Sequence, residues 1–330
     1  MCGPSVREVK VMKILLTGGS GYIGSVVVRD LVKLGHEVSV FDNLERGHAA
    51  NVPQGVRLIV GDLKDRVQTC DVFSDVRPDA VLHFAAYALV GESVSDPLLY
   101  YSNNVSGGLN LLEGMKASGC NRLIFSSSCA TYGIPPKLPI EEDFVQVPVN
   151  PYGDSKLTFE SACNWLWRAG KLKPTYLRYF NAAGAAYGLA ERHEPETHII
   201  PNVLKVAMGL SPAVRIYGSD YPTADGTCVR DYVHVKDLSA AHVLALEKES
   251  LGAYNLGTGH GVSVLEIVEM CRKVTGKSIP VEICPRRIGD PPALYASGTR
   301  ARRELGWNAV HSDLRTIIGD AWSAMQGDGS

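Results

Sequence analysis

Lys13-Ile-Leu-Leu-Thr17-Gly18-Gly19-Ser20-Gly21-Tyr22-Ile23-Gly24-Ser25 joins a short apolar run to a glycine-dense turn, and a new apolar pattern from Val26 to Leu34 follows at once. That order reads as strand, tight turn, helix. Gly18, Gly21 and Gly24 stand three apart. In such a turn the first glycine permits a sharp reversal, the second lets backbone approach a phosphate, and the third lets the helix pack on the strand. The helix N-terminus then presents free N–H groups to a pyrophosphate. An isolated glycine motif is also compatible with an ordinary βα turn, so the residues around it have to decide.

Working outward, Glu37-Val-Ser-Val-Phe-Asp42 is a second apolar run ending in an acid. An acid about twenty residues beyond the turn accepts from both ribose hydroxyls and repels a 2′-phosphate, which favours NAD over NADP. A third run, Val56–Val60, leads into Gly61-Asp62-Leu63, where backbone and the Asp62 carboxylate can meet an adenine edge. A fourth, Asp79–Phe84, opens onto the small residues Ala85 and Ala86, which leave room for a ligand at the strand's carboxyl end. Tyr100–Val105 lead into an amphipathic helix through Lys116, and Arg122–Ser126 form a fifth strand. Alternation at this pitch predicts an α/β protein with a doubly wound parallel sheet in the order 3-2-1-4-5. From about residue 185 turns separate shorter runs, which predicts a smaller mixed α/β part. The expected division is a dinucleotide-binding domain of residues 12–182 plus about 231–258. A substrate-binding domain of 183–230 plus 259–330 completes it, and residues 1–11 are expected to be an unstructured extension.

Composition narrows the setting. The 330 residues are 45% hydrophobic, enough for a large core, and the formal net charge is −2 with no basic block. Nucleic acid and anionic membrane surfaces are therefore poor partners. No apolar run is long enough to span a bilayer. The eight cysteines show no C-x-x-C pair and read as reduced, mostly buried small hydrophobes, so a cytosolic protein is expected.

The chemistry-bearing residues lie further on. The fifth strand ends in Ser126-Ser127-Ser128, and later stands Asn150-Pro151-Tyr152-Gly153-Asp154-Ser155-Lys156. Asn150 suits an N-cap and Pro151 the first helical position. Tyr152 and Lys156 are then i and i+4 on one helical face. A free phenol titrates at about 10, so a phenolate at neutral pH needs about 4 kcal/mol of help. A neighbouring ammonium and a cationic nicotinamide ring push that way. A tyrosine tuned so can take a proton from a sugar hydroxyl while hydride leaves the same carbon. Ser128 is placed to hydrogen-bond the same oxygen.

The combination of the glycine turn, Asp42-Asn43-Leu44, Phe84-Ala-Ala, Ser126-Ser-Ser128 and Tyr152-x-x-x-Lys156 resembles the extended short-chain dehydrogenase/reductase family. Tyr179-Phe-Asn181, Tyr217-Gly-x-Asp-Tyr221, Asp225-Gly-Thr-Cys-Val-Arg230-Asp231-Tyr232 and Arg286-Arg287-x-Gly-Asp290 are similar to its nucleotide-sugar epimerases, and the likeness runs from about Met12 to Trp307. The resemblance implies interconversion of UDP-galactose and UDP-glucose by transient oxidation at sugar C4. The 4-keto sugar then rotates, and hydride returns to its other face from the same tightly held NAD. It implies that Tyr152 is the acid/base, with Ser128 and Lys156 as its catalytic partners. NAD would be held by Gly18, Gly21, Tyr22, Ile23, Gly24, Asp42, Asn43, Asp62 and Leu63, with Phe84, Ala85, Asn103, Ser126, Tyr152, Lys156 and Tyr179. The UDP-sugar would be held by Ser128, Tyr152, Asn181, His198, Tyr217, Arg230, Arg287 and Asp290, and Leu294 would gate N-acetylated sugars. A homodimer through helices around Leu98–Lys116 and Tyr152–Ala169 is also implied.

Some positions depart from the family pattern. Ala88 stands where many relatives carry a lysine, and His198 where some place an asparagine. Leu294 leaves acceptance of UDP-N-acetylhexosamines open, and UDP-pentose or UDP-uronate epimerases stay as alternatives. A dehydratase on this scaffold would carry an Asp-Glu pair after the fifth strand, whereas Cys129-Ala130-Thr131 stand there. A regulator that binds NAD without chemistry has no use for the Ser128, Tyr152 and Lys156 set. Pro195 in His193-Glu-Pro-Glu-Thr-His198 argues against presenting both histidines on one helical face, so no metal site is expected.

Overall fold

The computed structural model describes residues 11–287 and 291–327. Six parallel strands open the chain: β1 (Lys13–Thr17), β2 (Glu37–Asp42), β3 (Arg57–Val60), β4 (Ala80–His83), β5 (Arg122–Ser128) and β6 (Lys173–Tyr179). The first six helices are α1 (Tyr22–Lys33), α2 (Arg66–Val76), α3 (Val90–Ser95), α4 (Pro97–Tyr100), α5 (Gly107–Ser118) and α6 (Pro151–Arg168). Across the sheet the strands run 3-2-1-4-5-6, the expected order for a doubly wound fold. A seventh strand, Gly252–Asn255, pairs in parallel with β6 at the far edge.

Strand periodicity decides which helix covers which face. In β1, Ile14 and Leu16 point to one side and pack with Val27, Val28 and Leu31 of α1 and with Leu238, Ala241 and Ala245 of the helix Val235–Glu247. Leu15 points to the other side, among Phe73 of α2, Leu111 and Met115 of α5 and Phe159 of α6. Both faces are thus buried, as an all-parallel sheet requires. A separate apolar cluster gathers Val203, Leu204, Val214, Ile216, Ile267, Val268 and Ile317. They come from the helices Ile199–Ala207, Val264–Thr275 and Leu314–Gly327 and from the parallel strands Val214–Tyr217 and Val281–Cys284.

Two local features differ from the sequence expectation. The segment Tyr101–Ser106 is one wide π-helical stretch between α4 and α5. There Asn104 accepts from the Tyr87 N–H at 2.9 Å and donates to the Tyr87 carbonyl at 3.1 Å, which binds the loop after β4 to this stretch. β5 also continues two residues further than expected, because Ser127 and Ser128 stay in register with Arg178 and Tyr179 of β6.

A buried ionic network ties β5, α6 and β6 together. Glu160, 1% exposed, accepts from Ser127 Oγ at 2.5 Å and from both Nε and Nη2 of Arg178. Arg178 Nη1 donates at 2.7 Å to the Tyr132 hydroxyl, which donates at 2.9 Å to Asn255 Oδ1 on the edge strand. Removing one partner strands the other charge away from water. Glu160→Ala is expected to cost about 3–5 kcal/mol, read by urea unfolding at fixed NAD concentration. A loss under about 1 kcal/mol would show that the network is not what holds these elements.

Candidate active site

The glycine turn is shaped by close approaches on two of its three sides. Gly18 takes φ +74°, and a Cβ there would meet the Ala85 nitrogen at 2.5 Å; a Cβ on Gly24 would lie 2.3 Å from the Gly18 carbonyl oxygen. Gly21 is different. Its nearest neighbour would be only the Gly18 oxygen at 3.4 Å, so the protein itself leaves its Cα open to the cleft. No side chain caps the first turn of α1. An uncapped helix start beside an open glycine is a cradle for a pyrophosphate. Asp42, at the end of β2, accepts from the Ser20 N–H at 3.0 Å and from the Leu44 N–H at 2.9 Å. Asn43 donates to Asp62 Oδ2 at 3.3 Å, drawing the ends of β2 and β3 together. The residues present therefore fit NAD.

At the carboxyl ends of β5 and β6 lies the second cluster. The α6 start is as expected: Asn150 Oδ1 accepts from the Gly153 N–H at 2.9 Å, and Pro151 occupies the first turn. Ser128 accepts from the Ala130 N–H at 3.1 Å, and its hydroxyl donates to the Tyr179 carbonyl at 3.4 Å. Lys156, 3% exposed, does not reach the Tyr152 phenol oxygen. Its Nζ donates to the Ser126 carbonyl at 2.9 Å and lies 4.8 Å from the centre of the Phe125 ring.

This geometry corrects one expectation. Burial pushes the Tyr152 phenol above its ordinary value, and the nearby Ser128 hydroxyl offsets that only in part. Lys156 is itself pulled down to about 7, because a desolvated ammonium is disfavoured, although Glu160 one turn on pushes back. Both shifts work against a phenolate in the protein by itself.

Every expected site residue among the described ones lines one continuous cleft of about 1430 Å³. A pocket for one drug-sized ligand is about 300–1,000 Å³, so this cleft has room for two ligands. The NAD-directed residues, from the glycine turn through Asp62, Leu63, Phe84, Ala85, Asn103, Ser126 and Tyr179, line it together with Asn181, His198, Tyr217, Arg230, Arg287 and Leu294. Asp290 lies outside the described residues. Asn181 donates to the Asp231 carbonyl at 2.9 Å, and Leu294 pairs in a short strand with Arg230. The Arg287 guanidinium lies 4.2 Å from the centre of the Tyr217 ring, so these two form a stacked unit and one ring face is already covered.

Arg46 in the cleft wall and His83 buried beneath it were not picked out from sequence. Arg46 lines the cleft, donates to Glu92 Oε1 at 2.8 Å and to the Glu194 carbonyl at 2.9 Å, and so links the loop after β2 to the loop near residue 194. Its only sequence signal was a cation four residues past Asp42. His83 at the end of β4 bonds Thr17 Oγ1 at 2.6 Å beneath the glycine turn. Pro195 does keep His193 and His198 off a common helix. A loop nevertheless brings them together, with ring centres 5.4 Å apart and Glu191 between them. Glu196 and Glu191 hold His198 above its ordinary value despite its burial. Cys129 beside Ser128 is fully buried, which pushes its thiol well up and leaves it inert.

Fold and cleft together define a doubly wound α/β protein built to hold a dinucleotide beside a second, anionic ligand. A model of the NAD dependent epimerase/dehydratase family matches residues 14–257, and the chain belongs to that family. It is 50% identical over 315 residues to a UDP-glucose 4-epimerase of Corynebacterium glutamicum, covering 94% of this chain and 95% of that protein. The crystal structure of UDP-glucose 4-epimerase from Brucella ovis in complex with NAD superposes with a TM-score of 0.90 at 47% identity, covering 94% of this chain and 97% of that one. A Stenotrophomonas maltophila UDP-glucose 4-epimerase with bound NAD and formylated UDP-arabinopyranose matches with a TM-score of 0.92 at 39% identity, over 96% and 99%. Among the described residues no helix is long and apolar enough to cross a membrane.

His83 generates a pH prediction. Burial, with Lys156 nearby, lowers it to about 3 from an unfolded value of 6.5. Its contribution is fully present above pH 6.5 and is lost as pH falls toward 3. Between pH 7.5 and 5.0 the protein should lose about 2 kcal/mol through this group. His83→Asn should shrink the difference between the urea midpoints at those two pH values. An unchanged difference would show that His83 is not the group that charges.

Proposed function

We propose that this chain interconverts UDP-galactose and UDP-glucose as an NAD-dependent 4-epimerase. The observation that carries it is the single cleft lined at once by the glycine turn, by Ser128, Tyr152 and Lys156, and by Arg230 and Arg287. Bound NAD supplies an acceptor at C4 that gives the same hydrogen back, so one site inverts the carbon with no net oxidation. Tyr152 takes the C4 hydroxyl proton and later returns it. Ser128 holds the phenol and the sugar oxygen in line. Lys156, anchored on the Ser126 carbonyl, steadies the nicotinamide ribose and adds positive potential near the phenol. Arg230 and Arg287 offer planar forks of donors to the diphosphate. Asn181, His198, Tyr217 and Asp290 complete the nucleotide grip, and Leu294 faces the sugar. A firm hold on UDP and a loose hold on the hexose let the oxidised sugar present either face.

We extend the same reading to the division of the chain. Residues 12–182 with 231–258 form the NAD-binding domain, and 183–230 with 259–330 the UDP-sugar-binding domain. The protein works as a cytosolic homodimer. Leu98 at 79% and Trp165 at 66% exposure, on the helical segments expected to pair, support that association.

Purified protein given UDP-galactose without added nicotinamide should form UDP-glucose; no conversion even with NAD supplied would sink the assignment. Tyr152→Phe should keep NAD bound and lose about 10²–10⁴-fold in turnover. A fully active variant would remove Tyr152 from its role.

A further inference from the structure

The loop between the short strand Asn181–Ala183 and the helix Ile199–Ala207 carries a donor set of which the proposed epimerase chemistry uses only His198, as a nucleotide contact. Within eight residues it supplies Glu191, His193 and His198, whose ligand atoms lie within 4.8 Å of one another. Glu191 Oε1 is 3.1 Å from His193 Nδ1 and 3.4 Å from His198 Nδ1. A tetrahedral centre with bonds of about 2.0–2.1 Å spaces its ligand atoms about 3.3–3.4 Å apart. Two of the separations already match.

Burial adds an independent observation. Glu191 and Glu196 are 8% and 3% exposed in their side chains, so two carboxylates face two imidazoles largely out of water. Glu196 Oε1 touches His198 Nδ1 at 2.8 Å, yet Glu196 Oε2 is buried with no hydrogen-bond partner, and His193 Nδ1 meets only the Glu191 carboxylate, at 3.1 Å. Unpaired polar atoms in such a place are costly, and a cation satisfies both signs of the problem. All four side chains line the cleft, so a coordination position can open toward it.

We propose that Glu191, His193 and His198 form a binding site for one divalent cation of the zinc class, in which His198 Nδ1 exchanges its contact with Glu196 Oε1 for the metal and the fourth position is open to the cleft. Two imidazoles and one carboxylate suit zinc, cobalt or nickel and not calcium or magnesium, which take oxygen donors. Three protein ligands with one open position match sites whose metal meets a second ligand.

The test uses the full chain with its NAD, dialysed against a chelator and titrated with Co²⁺ alone. One Co²⁺ per chain should bind, with the visible absorption of a low-symmetry nitrogen–oxygen site, and Zn²⁺ should displace it and bleach the colour. His193→Ala and Glu191→Gln should each weaken Co²⁺ binding more than about 10-fold while keeping the melting transition. His193→Gln serves if the alanine variant fails to fold. Failure of the native chain to retain Co²⁺ would overturn the site, as would variants that fold and bind as tightly as the native chain. UDP-galactose turnover is a separate readout, so failure here leaves the epimerase assignment standing.

Discussion

The hinge of the structure is the contact between the start of α1 and the turn that follows β1. The Gly24 Cα lies so close to the Gly18 carbonyl that a single methyl group would sit 2.3 Å from that oxygen. This approach fixes the helix axis against the strand. It aims the uncapped N–H groups at the cleft and leaves Gly21 bare beside them. Thr17 and His83 brace the same turn from below through a buried hydrogen bond. The remainder of the site is measured from this point, because β4 and β5 are placed by their register with β1 and with each other.

Around that anchor the sheet separates two electrostatic problems. On one side of the cleft, the glycine turn presents backbone donors, and the buried Asp42 carboxylate is met by the Ser20 and Leu44 N–H groups. On the other side, burial lowers Lys156 to about 7 and raises the Tyr152 phenol above its ordinary value.

Much of this was legible in the residues because it follows from short-range rules. The glycine spacing, the acid closing β2, the Asn150-Pro151 helix start and the i, i+4 pairing of Tyr152 with Lys156 each need only a local reading, and the strand order follows from right-handed crossovers. What could not be read depends on contacts across the chain. The Lys156 ammonium turns to the Ser126 carbonyl because β5 ends beside α6. Arg287 stacks on Tyr217 because two strands far apart in sequence pair in parallel. His193 and His198 meet on a loop, where helical periodicity gives no guidance. Tyr101–Ser106 widens into a π-helical stretch to let Asn104 reach the Tyr87 backbone, a demand invisible in the local pattern.

The edge strand Gly252–Asn255 carries a consequence for how the molecule is made. It closes the sheet against β6, and Asn255 terminates the Glu160–Arg178–Tyr132 chain of hydrogen bonds. A nascent chain emerging from the ribosome reaches this strand only after the loop bearing His193 and His198 and the strand Val214–Tyr217 have already been synthesised. Six strands must wait with one edge bare and a buried arginine network unfinished. Vectorial synthesis thus delays closure of the large sheet until the segment with the helix Ile199–Ala207 and the strand Val214–Tyr217 has emerged, while the helices Val264–Thr275 and Leu314–Gly327 follow later still.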